Sequence, residues 1–267
     1  MAKKADLRHQ TLSEFLANKN LPSDLKLPWV HSSSAANLFD IIDAEKLLAV
    51  PCNVFKGDKL VYFFVGRPAY KMPAVENPSE WQLPIVFVMR FQQPPNIKRV
   101  FPFDSGAFLT GRMPNYISMF PIAGYEMSRH PDLAGRLVSF FFKTQERYFF
   151  RRPAGDEEMK VEHELDMRHA QILALAKLYR DRESATLDDR AAAIEVSVAE
   201  DVPLEKSSLL GVVIPNEYKR LPGMVSSLKG VTQIIEGYDL LPLGTDAHYG
   251  VVYDCVKRIY KKAGIKL

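Results

Sequence analysis

Cysteine, long apolar runs and a strong charge of either sign are all scarce in this sequence. Its two cysteines, Cys52 and Cys255, lie far apart with no paired CxxC or His-Cys spacing, so we expect neither a disulfide scaffold nor a structural metal. The longest apolar runs are too short to span a bilayer. These absences, together with a start that lacks an apolar leader, predict a cytoplasmic protein with no membrane contact.

The charge balance leaves the partner open. A formal net charge of +3 is too mild to prove a nucleic-acid partner, although it does not oppose approach to a phosphate backbone. Familiar catalytic signatures are also missing: the sequence has no phosphate-binding P-loop, no Gly-rich dinucleotide fingerprint, no GxSxG elbow and no HExxH pair. A nucleotide would therefore have to be bound by some other device.

Hydrophobic spacing predicts an α+β protein. Runs rich in β-branched and aromatic residues predict strands, and apolar residues at helical spacing predict helices. Strands are expected near residues 28–31, 60–65, 85–91, 100–103, 193–198, 210–215 and 231–235; helices are expected near 9–20, 137–142, 166–180 and 251–261. The polar stretch 151–164 is expected to be a loop.

Glu195 is the most informative residue, because it interrupts the apolar run Ala191–Val198. An ionised carboxylate taken out of water without a partner costs several kcal/mol, so an acid at such a position usually has a partner or a function. Glu195 is therefore a candidate catalytic group. The alternative is an ordinary acid on the solvent face of an edge strand.

Two further segments carry polar residues beside predicted strands. His31 is followed by Ser32, Ser33 and Ser34, which are helix-capping candidates. Such a place suits a small polar ligand, although a core or capping histidine is the alternative. The run 60–65 ends in a turn with Arg67 and Tyr70, which could bind phosphate and stack on an aromatic ring. An aromatic core with an ordinary polar turn is the alternative there. Asp104 and Gly106 could likewise form a simple turn.

Taken in order, these segments resemble the ADP-ribosyltransferase fold, and in particular the DarT-like bacterial toxins that modify nucleic-acid bases. The matching segments are His31-Ser32-Ser33, Asn37-Leu38-Phe39-Asp40-Ile41, the aromatic turn Tyr62 to Tyr70, Phe103-Asp104-Ser105-Gly106-Ala107, and Arg190 to Glu195 with Asp201-Val202-Pro203-Leu204 after it. The sequence departs from the family pattern at Gly66 in the aromatic turn and in the long segment 108–165, which has no counterpart.

The resemblance implies a single domain over residues 1–267 with an ADP-ribosyltransferase-like split β-sandwich core and peripheral helices. Residues 1–27 would be an N-terminal helical extension, and residues 108–180 a mostly helical insertion. It also implies NAD as a substrate, with no metal.

The resemblance further implies roles for individual residues. Glu195 would stabilise positive charge on the NAD ribose and prepare the acceptor, and Arg67 would serve either the NAD phosphates or proton transfer. The residues implied for NAD binding are His31, Ser32, Ser33, Asn37, Tyr62 and Tyr70. Those implied for the acceptor substrate are Asp104, Ser105 and Arg190.

The implied activity is transfer of ADP-ribose from NAD to a nucleic acid by a toxin or phage-defence effector, with an antitoxin protein as a further partner. Two alternatives stay open. One is ADP-ribosylation of a protein side chain. The other is a non-catalytic module of the same fold that senses NAD or binds a partner, which the abundance of aromatic residues also fits.

Overall fold

The computed structural model describes residues 8–69, 75–130, 132–184 and 188–267. The chain divides into two compact units. Met1–Leu25 and Arg99–Ile194 form one, called here the helical unit, and Lys26–Lys98 and Glu195–Leu267 form the other, called the sheet unit. The expectation of one domain with a helical insertion stays a prediction.

The strands are β1 (Trp29–Ser34), β2 (Lys46–Leu47), β3 (Val50–Pro51), β4 (Lys59–Val65), β5 (Pro84–Met89), β6 (Ile97–Phe101), β7 (Glu195–Val198), β8 (Val202–Pro203), β9 (Leu209–Pro215) and β10 (Ile234–Tyr238). The helices are α1 (Leu12–Ala17), α2 (Leu38–Ala44), α3 (Ser105–Leu109), α4 (Asn115–Ser118), α5 (Leu133–Phe142), α6 (Gln145–Phe149), α7 (Asp156–Glu162), α8 (Ala170–Arg180), α9 (Asn216–Lys219), α10 (Met224–Val231) and α11 (His248–Lys262). Short 3-10 turns separate several of them.

The sheet unit is built on a mostly antiparallel sheet in the order β10-β9-β5-β1-β4-β7. Only the β9–β10 pair among these is parallel. Strand β3 pairs with β4, and β2 and β8 form a separate two-stranded sheet. Strand β5 is buried at every position, as its unbroken apolar sequence predicts. The mixed α/β class is thus confirmed, and the specific ADP-ribosyltransferase fold stays a prediction.

Helix α11 covers one face of this sheet. A Cβ built on Gly211 of β9 would lie 2.9 Å from Cγ2 of Ile259, so helix and strand approach closely where the side chain is smallest. At the β10 edge, Glu236 accepts from Arg258 and Lys262 of α11, each at 2.6 Å. Apolar packing and this ion-paired edge fix α11 against β9 and β10.

The helical unit packs largely through aromatic rings. Phe15 of α1 meets Phe140 of α5 edge to face at 4.9 Å between ring centroids, and Phe141 meets Tyr179 of α8 at 5.1 Å. Such edge contacts add about 0.5–1.5 kcal/mol to area burial. Aromatic contacts therefore connect helices α1, α5 and α8, which are distant in sequence.

Two local expectations were wrong. Residues 156–162, expected to be loop, form α7, because three acids in its first turn interact favourably with the helix N-terminus and Met159 is buried against the unit. Ser32 to Ser34, expected to cap a helix, continue strand β1 because they pair with β5. Ser34 precedes the next 3-10 turn without a side-chain capping bond.

Candidate functional site

Two of the predicted NAD-binding residues, His31 and Tyr62, lie where two neighbouring strands of the sheet unit stop pairing. Strand β1 pairs with β5 along its whole length, but with β4 only at Trp29↔Val65 and Val30↔Phe64. Immediately past that point, Nδ1 of His31 lies 2.8 Å from the backbone carbonyl oxygen of Tyr62. An imidazole therefore replaces the backbone ladder where β1 and β4 part. We call this place the β1–β4 junction.

The surroundings of His31 determine its protonation state. The carbonyl oxygen of Tyr62 can only accept, so Nδ1 of His31 carries the proton and donates to it. Burial lowers the pKa of His31, and the hydrogen bond to Tyr62 opposes this shift only in part. Phe63 lies against the ring, with centroids 5.8 Å apart. The ring is thus neutral at pH 7, and its Nε2 is a hydrogen-bond acceptor suited to a hydroxyl group.

The three serines of β1 differ in their partners. Ser33 Oγ accepts from Nδ2 of Asn37 at 2.9 Å, and Ser34 Oγ donates to the carbonyl of Trp81 at 2.6 Å. Ser32 Oγ is buried and has no hydrogen-bond partner among the described residues. A buried hydroxyl without a partner costs free energy, so Ser32 is a natural place for an added polar group.

Glu195 is the first residue of β7 and is only 4% exposed. It lies directly opposite Phe64 of β4, whose other neighbour is Val30 of β1. Directly opposed residues of antiparallel strands place their side chains on the same face of the sheet, so Glu195 shares a face with Val30. Side chains alternate along a strand, so His31, the residue after Val30, projects from the opposite face. The expectation that Glu195 is buried is confirmed. A single ligand reaching both residues would have to pass through the β1–β4 junction.

Arg67 lies in the turn after β4 and is 1% exposed. Its Nε donates to the hydroxyl of Tyr253 at 3.0 Å, and the hydroxyl of Tyr260 donates to the carbonyl of Gly66 at 2.8 Å. Both tyrosines belong to α11, so one helix holds two consecutive residues of the turn. Sequence reasoning missed this role of Tyr253 and Tyr260, although their spacing of seven residues places them on one side of a helix.

The two remaining aromatic candidates are Tyr62 and Tyr70. The hydroxyl of Tyr62 lies 2.9 Å from Sγ of Cys52, and that sulfur also accepts from the backbone N–H of Phe55 at 3.2 Å. Cys52 is therefore a neighbour of the candidate site. Tyr70 lies outside the described residues.

The three predicted acceptor-binding residues belong to the helical unit. Asp104 caps α3 by accepting from the backbone N–H of Ala107 at 2.8 Å, and it also accepts from Nη1 of Arg190. Arg190 binds Asp188 as well, through Nε at 3.0 Å. Ser105 is fully buried. Structural partners thus account for Asp104 and Arg190, and the role of the three residues in substrate binding stays a prediction.

A separate cleft of about 760 Å³ lies in the sheet unit, bordered by residues 91–95 and 200–208. It is lined by Phe91, Gln92, Gln93, Pro95, Glu200, Asp201, Val202, Pro203, Glu205, Ser207 and Ser208. None of these is a predicted site residue. The acids make the cleft unsuited to phosphate.

Three comparisons with known proteins found no match: no protein-family model, no curated protein and no solved structure is similar to this chain. In the described ranges, no group of three or more His, Cys, Asp and Glu residues could hold a metal ion. No helix in those ranges is both long and apolar enough to cross a membrane.

Proposed function

We propose that this protein is an NAD-dependent ADP-ribosyltransferase that modifies a nucleic acid. The observation that carries the proposal is the strand order β1-β4-β7. It brings the strand of His31, the strand that leads to Arg67 and the strand of Glu195 side by side, although Glu195 is far from the other two in sequence. These strands belong to three of the five segments on which the resemblance to this family depends.

The chemistry of the residues also supports the proposal. Transfer breaks the bond between nicotinamide and C1′ of the ribose, and the electron pair leaves with nicotinamide. Positive charge then develops on the ribose. A buried carboxylate stabilises such charge strongly because water does not screen it, and Glu195 is buried.

The remaining groups suit the other parts of NAD. The neutral ring of His31 offers Nε2 as an acceptor for a ribose hydroxyl. Ser32 Oγ, on the next residue of β1 and therefore on the opposite face of the strand, is a further buried polar atom. The acceptor nucleophile attacks C1′ and loses its proton to a base, for which Glu195 and Arg67 are the candidates. A carboxylate is a far better base than a guanidinium group, so of the two Glu195 is the better proton acceptor.

The test is transfer of label from ³²P-NAD to single-stranded DNA, RNA or protein. Glu195→Gln keeps the shape of the side chain and removes its charge, so we expect label transfer to fall at least 100-fold, since one preorganised electrostatic group contributes about that much. Glu158→Gln, which changes an exposed carboxylate of α7, is the matched control and should transfer label like the wild type.

Binding is measured separately by calorimetry. Loss of the His31 acceptor in His31→Phe should weaken NAD binding about 10-fold, as expected for one hydrogen bond of about 1.4 kcal/mol. Label in protein instead of nucleic acid would support modification of a side chain. NAD binding without release of nicotinamide would refute the enzyme and support a non-catalytic module.

A further inference from the structure

The end of α11 and the residues after it hold most of the positive charge surplus of the chain. Residues 254–267 contain five cations and one acid. The cations are Lys257, Arg258, Lys261, Lys262 and Lys266. Even when Glu236 of β10 is counted against them, three positive charges are left over, which equals the formal net charge of +3 for the whole protein. The formal charges of all other residues therefore sum to zero, and this segment carries the net positive charge.

A turn at Gly264 folds the chain back onto the end of the helix. Gly264 has a φ of +69°, a left-handed conformation that glycine adopts without strain. The backbone N–H of Ile265 then donates to the carbonyl of Tyr260 at 2.9 Å, and Ile265 is buried. This turn brings Lys266 next to the lysines of α11.

The turn encloses a cleft of about 570 Å³. Four cations line it, namely Lys257, Arg258, Lys261 and Lys266, with Asp254 as the one acid. Lys261 and Lys266 are exposed. We call this cleft the α11 cleft.

Helix electrostatics account for only part of this charge. Cations are favourable at a helix C-terminus, because the last carbonyl groups carry partial negative charge. Here the carbonyls of Ile259, Tyr260 and Lys261 already accept backbone hydrogen bonds from the residues of the turn. Lys257 pairs with Asp254 at 3.5 Å and Arg258 pairs with Glu236 at 2.6 Å, so these two acids offset part of the charge. A net positive charge remains around one concave surface, and it favours a ligand with several negative charges in a row.

We propose that the α11 cleft binds the phosphate backbone of a single-stranded nucleic acid. The cleft is concave, and cations along its rim would neutralise successive phosphates of one strand. The proposal extends the proposed function by giving the acceptor a contact surface, but strand binding itself needs neither NAD nor transfer.

The experiment measures fluorescence anisotropy of a labelled 12-nucleotide single strand, with the full-length protein and no NAD, over a salt series. The test variant is the double substitution Lys261→Gln with Lys266→Gln. Each phosphate contact contributes about 0.7 to the slope of log K against log salt, so losing two should lower the slope by about 1.4 and weaken binding about 25-fold at 0.1 M salt. Lys229→Gln is the control, because Lys229 is an exposed lysine in the last turn of another helix, α10.

The outcomes separate this proposal from the proposed function. Glu195→Gln should bind the strand like the wild type. Strand binding by the wild type without any label transfer would refute the enzyme and leave the α11 cleft supported. Equal binding by the double variant and the wild type would overturn the proposal. Equal weakening by Lys229→Gln would also overturn it, because the effect would then be one of total charge. Tighter binding of a duplex of the same length would contradict the single-strand assignment.

Discussion

Gly66 is the backbone position at which a small substitution should have a large effect. It has a φ of +69°, and a Cβ built on it would lie 2.6 Å from Cδ1 and 3.1 Å from Cβ of Leu27. Its N–H donates to the carbonyl of Pro28 at 2.7 Å, and its own carbonyl accepts from Tyr260. Because both backbone groups are held, the chain cannot move aside to accommodate a methyl group.

The free energy of unfolding should therefore fall for two reasons in Gly66→Ala. The left-handed conformation costs a residue with a Cβ about 1–2 kcal/mol. The contact with Leu27, which is 5% exposed, overpacks the core and costs about 1–3 kcal/mol more. The total is about 2–5 kcal/mol. Gly57→Ala is the matched control, because Gly57 has a φ of +91° but no atom within 4 Å of a built Cβ, so only the conformational cost applies.

Urea unfolding followed by tryptophan fluorescence measures the effect, since Trp29 and Trp81, the two tryptophans of the chain, both belong to the sheet unit. A double-mutant cycle with Leu27→Ala isolates the clash. We expect the double variant to be more stable than the two single losses predict, by about the 1–3 kcal/mol of overpacking. Strict additivity, or a loss in Gly66→Ala no larger than that in Gly57→Ala, would refute this reasoning.

Three further substitutions test other parts of the structure. Burial holds the pKa of His31 below its ordinary value of 6.5, so the contribution of the neutral ring to folding stability is present above pH 6.5 and is lost as pH falls through the folded pKa. The urea midpoint of the wild type should therefore fall over that pH range. The midpoint of His31→Gln should fall less steeply. Arg190→Met should lower the free energy of unfolding by about 3–5 kcal/mol, because it leaves the buried carboxylate of Asp104 without its cation. Thermal unfolding followed by far-UV circular dichroism measures the loss, and an unchanged midpoint would contradict the buried ion pair. Tyr148→Phe should cost about 1–3 kcal/mol by the same measurement, because the buried N–H of Ile194 loses its acceptor, and a neutral result would show that another group replaces it.

The strands were the part of the fold that the sequence predicted best. Strands β4, β5 and β9 are largely buried apolar runs, and such runs can be predicted without knowledge of tertiary contacts. The serines after His31 were misread because a polar triplet before an apolar helix is typical of a cap. Pairing with β5 is a long-range interaction, and it determined the outcome for Ser32 to Ser34.

The sequence could predict which residues belong to the candidate site, but not how they contact one another. A single acid in an apolar run identified Glu195, and its burial is confirmed. Nothing local indicates that Tyr260 would hold the carbonyl of Gly66, because the two residues are 194 positions apart in sequence. The end of pairing between β1 and β4 is equally non-local. Periodicity reports which face of a strand is buried, but it does not report where two strands part.

Where the strands part determines what the candidate site can bind. If β1 and β4 paired along their whole length, the Tyr62 carbonyl would be a ladder acceptor and the ring of His31 would lie flat on one face, out of reach of a ligand on the face of Glu195. Because the ladder stops at Val30↔Phe64, Nδ1 of the imidazole reaches the Tyr62 carbonyl at the β1–β4 junction, while the ring lies beside Phe63 and Phe87. A ligand entering there could contact a neutral imidazole from one side and meet the buried carboxylate from the other. If His31→Phe and Glu195→Gln weaken binding of the same NAD molecule in a non-additive way, the two residues act on one ligand; strictly additive losses would indicate that they do not.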